Sequence, residues 1–116
     1  MSKANYKFLH CKSGFGTSVQ ASETTYCIPR DDIGPYTHVE LGFPTAPDSL
    51  IAGYADEPDR PTETVYGYVP AGVFQALVIK HGGIESGNHP ELNMDVEQSA
   101  ILAETLSAAD EIDESG

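Results

Sequence analysis

The segment TVYGYVPAGVFQALVIKHGG, residues 64–83, decides the fold. It opens with Thr64, Val65, Tyr66, Tyr68 and Val69, which are β-branched or aromatic and read as a strand. At Pro70 the period changes. Proline suits the first helical position, where its missing N–H would be unpaired in any case. Val73, Phe74, Leu77 and Val78 then recur at helical spacing. Lys80 and His81 fall in the last turn, where the helix dipole favours cations. Gly82 and Gly83 supply the left-handed stop. The segment is a strand, a corner and a helix.

N-terminal to it, the pattern is strands and turns. Residues 6–11 alternate, residues 17–21 and 24–28 are β-prone, and the latter run stops at Pro29. In residues 36–41, Thr37, Val39 and Leu41 share one side, which makes this the clearest strand. C-terminal to the segment, a second helix is expected from Asn93 or Met94 to about Asp110. Its apolar side would be Val96, Ala100, Ala103 and Leu106, flanked by Ile101 and Leu102. Strands followed by helices predict an α+β domain spanning residues 1–116. A small antiparallel sheet from the N-terminal two thirds is packed by two C-terminal helices. Residues 42–62 contain four prolines and read as a long loop, of the kind that is usually functional or mobile.

The charge is one-ended. Of 18 acids, nine lie in residues 81–116, a stretch with no Lys or Arg, whereas Lys3, Lys7 and Lys12 lie at the other end. A net charge of -12 on 116 residues argues against direct nucleic-acid binding, which needs clustered bases. It favours presentation of carboxylates to a basic surface. Glu97, Glu104 and Glu111 are spaced by seven, so they line one helix face with a drift of about 20° per step. Asp95, Asp110, Asp113 and Glu114 extend the acidic set, and residues 110–116 form an acidic tail. A second candidate surface is Asp56, Glu57 and Asp59 in the proline-rich loop.

Other chemistry is weakly signalled. The histidines and cysteines lack the short paired spacing of a structural zinc site, so no metal and no cofactor are expected. Gly14 and Gly16 form part of a nucleotide-binding pattern, but Val19 stands where its third glycine belongs. No catalytic residue is assigned and no enzymatic activity is expected. Cys11 and Cys27 read as buried thiols of a reducing compartment, with their pairing left open. No apolar run is long enough to span a bilayer, and residues 1–14 lack a signal-peptide core, so a cytoplasmic location in a bacterial host is expected.

In size and charge pattern, chiefly over residues 81–116, the chain resembles small phage-encoded accessory proteins, in particular inhibitors of bacterial immunity of the anti-CRISPR type. The resemblance implies a partner that is a nuclease or CRISPR surveillance subunit, blocked in its nucleic-acid binding, and carries no functional residue over. The alternative expectation is a structural or replication accessory protein that binds through its sheet, through Tyr36, Tyr54, Tyr66 and Tyr68, or through the proline-rich loop.

Overall fold

The computed structural model describes residues 6–115, with side chains described through Ala108. Five strands form one antiparallel sheet: β1 (Leu9–Cys11), β2 (Gly16–Gln20), β3 (His38–Gly42), β4 (Val65–Pro70) and β5 (Ile84–Ser86). Their spatial order is β4-β3-β2-β1-β5. Two helices, α1 (Ala71–Lys80) and α2 (Val96–Ser115), complete an α+β fold. Among the described residues, no helix is long and apolar enough to cross a membrane.

The corner lies at Pro70, but Pro70 is the last residue of β4 and the N-cap of α1, which begins at Ala71, rather than the first helical residue. Val73, Phe74, Leu77 and Val78 are all buried, together with Val19, Val39, Leu41 and Tyr66 of the sheet. Ala71, Gly72 and Ala76 are buried as well, so α1 is covered nearly all round, by the sheet on one side and α2 on the other.

Two further sequence expectations are corrected, and one strand is added. Residues 24–28 form no strand beyond a single bridge from Ile28 to His38. The reason is local competition: Ser22 N–H donates to Thr25 Oγ1 at 2.9 Å and Thr24 N–H to Ser22 Oγ at 3.2 Å, which holds the chain in a turn. β5 was not anticipated, because its three residues are all exposed and too few to show a period. The buried side of α2 is also rotated from the one expected. Gln98 is 2% exposed and Ile101, Leu102, Thr105 and the expected Leu106 are half-buried, whereas Val96 is 88% exposed and Ala100 and Ala103 also face outward.

That rotation follows from α1. Gly72 N–H, unpaired within its own helix, donates to Gln98 Oε1 at 2.9 Å. A Cβ on Gly72 would lie 2.4 Å from Gln98 O and 2.8 Å from Leu102 N, so the helices meet backbone to backbone here. One buried polar contact therefore outweighs the propensity of the alanines.

The proline-rich loop is folded in. Ile51 and Pro44 are fully buried, residues Ala52–Tyr54 form a 3-10 turn, and Ala55 bridges to Tyr66 on the outer edge of β4.

Candidate partner-binding surfaces

The acidic helix comes first. Asp95 Oδ1 accepts Gln98 N–H at 2.9 Å, so Asp95 is the N-cap of α2 and is committed to the helix. Glu97 and Glu104 are both exposed, two turns apart on α2, and flank Ile101 at i−4 and i+3, so they run along the edge of the contact with α1. At 1.5 Å per residue their Cα atoms are separated by about 10.5 Å. Glu97 also acts inward: burial lowers the pKa of His38, and the nearby Glu97 and Asp95 carboxylates partly offset this. The side chains of Asp110, Glu111, Asp113 and Glu114 lie outside the described residues.

The loop acids do not act as one group. Glu57 lies 4.0 Å from Arg60, which makes its closer contact, 2.6 Å, with Glu63. Asp59 is exposed on the same turn. Asp56 instead joins Tyr26, Tyr54, Val65, Gly67 and Tyr68 around a groove of about 350 Å³ beside β4. Of the four tyrosines expected to form a binding surface, Tyr36 and Tyr66 are core residues. Tyr36 O–H donates to Asp31 O at 2.8 Å, and burial, with nearby Tyr6 and Asp31, pushes its pKa up to about 12. The exposed tyrosines of this surface are therefore Tyr68 and Tyr26, with the half-buried Tyr54 beside them.

A bulge builds that groove. Val39 pairs with Val69 and Leu41 with Tyr66, so Gly67 and Tyr68 together oppose the single residue Glu40. Tyr68 takes a left-handed backbone, φ 53°. This costs a non-glycine residue roughly 1–2 kcal/mol. Its N–H points away from β3 and donates to Tyr26 O at 3.0 Å. Tyr26 is thereby drawn beside it, with ring centroids 5.7 Å apart. Gly67 eases this approach, since a Cβ there would lie a tight 3.1 Å from Tyr26 Cβ. A glycine inside a strand is a sequence sign of such a bulge.

A third cluster was not foreseen. His81 Nε2 lies 2.7 Å from Asp48 Oδ2, and His81 Nδ1 lies 3.0 Å from Ser13 Oγ, beside a shallow depression of about 460 Å³. Serine, histidine and aspartate in hydrogen-bonded order are the parts of an acyl-transfer relay. Here, however, Lys80 Nζ lies 3.2 Å from the same Asp48 carboxylate and compensates the charge that would stabilise an imidazolium. Ser13 Oγ accepts Phe15 N–H at 3.3 Å, and the His81 ring stacks on Phe15 with centroids 4.3 Å apart. Burial alone would raise the Asp48 pKa. The bonds from His81, Leu50 N–H and Lys80 outweigh it and hold the carboxyl below its ordinary value. The cluster ties the β1–β2 turn, the proline-rich loop and the end of α1 together. Its residues are far apart in sequence and carry no motif spacing.

Comparison with known proteins adds no assignment: no family model, curated protein or solved structure matches the chain.

Proposed function

We propose that the protein is a non-enzymatic inhibitor that sets the exposed Glu97–Glu104 flank of α2 against a basic, nucleic-acid-binding surface of another protein. The observation that supports this most directly is the seating of α2. Its Gln98–Ile101–Leu102 side is held to α1, which leaves Glu97 and Glu104 exposed in a stretch without a single Lys or Arg. Carboxylates repeated along a helix face occupy a groove of Arg and Lys side chains in place of phosphates. Val96, Ala100 and Ala103 beside them are small enough to let a broad surface approach. In the class that the charge pattern resembles, the partner is a nuclease or CRISPR effector subunit and the effect is loss of nucleic-acid binding.

The test is capture of such a partner from bacterial lysate at low and high salt, by the native chain and by a Glu97→Lys/Glu104→Lys variant. The native chain is expected to capture it and release it as salt rises, because contacts between exposed charges are screened. Equal capture by the double variant would end the reading.

A second reading, an accessory protein of virion or replication assemblies, draws support from the exposed tyrosine groove beside β4. It predicts partner capture that is indifferent to salt and to the α2 substitutions.

A further inference from the structure

We propose that the groove between Tyr26, Tyr54 and Tyr68 is a separate binding site for an arginine side chain of a partner protein. The guanidinium would lie against the tyrosine rings and donate to the Asp56 carboxylate. The site shares no residue with the acidic face of α2, and the inference stands whether or not that face binds.

Three observations carry it. First, the groove is built by the fold. The bulge opposite Glu40, the left-handed backbone at Tyr68 and the missing Cβ at Gly67 all bring two tyrosine rings side by side at the surface. Tyr26 is held there by two backbone bonds: its carbonyl accepts Tyr68 N–H, and its N–H donates to Glu40 Oε2 at 3.4 Å. Tyr68 remains 44% exposed despite that anchoring. Second, one of these rings already receives a guanidinium. Arg30 of the same chain lies over Tyr26 with its Cζ 5.5 Å from the ring centroid. Aromatic faces attract cations electrostatically, and a planar guanidinium can also stack on them. Third, the charge selects the ligand. Asp56 is the one charged residue among those that line the groove, and it is exposed. Tyrosines alone would also suit a neutral apolar ligand. A carboxylate beside them favours a donor that is both flat and positive, and arginine meets a carboxylate through two parallel N–H bonds.

The test is an NMR titration of the whole chain with N-acetyl-arginine amide, its neutral citrulline analogue and its lysine analogue, reading tyrosine ring protons. The arginine compound is expected to shift Tyr26, Tyr54 and Tyr68 with saturation on the order of 1 mM, as suits one side chain on an open groove. The citrulline compound, equal in shape and lacking the charge, is expected to bind about tenfold more weakly. Asp56→Asn is expected to remove most of that difference. Tyr68→Ala is expected to abolish the shifts, and Tyr68→Phe, which keeps the ring, to retain them; circular dichroism checks that each variant folds. The Glu97→Lys/Glu104→Lys variant is expected to keep the groove response, so failure of the α2 reading would be seen separately. Equal binding of the citrulline compound, an unchanged affinity in Asp56→Asn, or loss of the response in the α2 variant would overturn the site. Equal binding of the lysine compound would overturn its assignment to arginine.

Discussion

Asp48 has only 3% of its side chain exposed, yet it carries a charge and two basic neighbours. Removing one member of a buried ion pair leaves the others uncompensated. Asp48→Asn is therefore expected to lower the unfolding free energy by about 3 kcal/mol, measured by urea denaturation near pH 7. The pH dependence has a definite sign. A carboxyl whose folded pKa lies below its unfolded value near 3.8 stabilises the fold fully above that value, and loses the contribution as pH falls through the folded pKa. The gap between wild type and Asp48→Asn should thus be widest near neutrality and shrink below about pH 4. A gap that widened in acid would show that the carboxylate is not the stabilising form. Tyr68 is the opposite kind of residue, since its left-handed backbone is a cost. Asn tolerates that conformation better, so Tyr68→Asn is expected to stabilise the fold by about 0.5–1 kcal/mol in the same assay while losing the ring that lines the groove.

At the scale of elements, the α1–α2 contact is the most demanding. Gly72→Ala would place a methyl group against the backbone of Gln98 and Leu102, neither of which can turn aside as a side chain could. A cost of about 2–3 kcal/mol is expected by denaturation, with reduced helical signal in circular dichroism. This contact also marks where the sequence ceased to be legible. The strand–corner–helix at residues 64–83 was plain because its periods are strong and Pro70 and Gly82–Gly83 punctuate it. The face of α2 was not, because Ala100 and Ala103 are apolar enough to mimic a core stripe, while the residue that seats the helix is a glutamine. Residues 24–28 misled for a related reason: threonines suit strands, but their hydroxyls here bond to the neighbouring backbone. Glu97 and Glu104 could be placed on one exposed side from spacing alone. The neighbours of Asp56 could not, since Tyr26 reaches the groove only because the bulge frees Tyr68 N–H to bond a residue more than forty positions earlier.

For the whole molecule the dominant quantity is the net charge of -12. Self-repulsion on that scale destabilises a small compact state and is screened by salt. The melting temperature is expected to rise by several degrees between about 10 mM and 500 mM sodium chloride, while capture of a basic partner weakens over the same range. Opposite responses in one buffer series would separate the intramolecular effect of the acids from the intermolecular one. A melting temperature independent of salt would mean that the fold does not feel its own charge. The sheet has a further consequence. β1 pairs with β2 within a few residues, but its other neighbour is β5, so His10 waits for Ser86. During synthesis β1 therefore keeps an open edge until β5 has been made. Pairings so distant along the chain also close slowly. The nascent protein can gather most of its core from residues 9–78, yet its sheet is finished only by the segment that leads into the acidic helix. Strand β1 thus waits for β5, a segment some seventy residues later, before the sheet is complete.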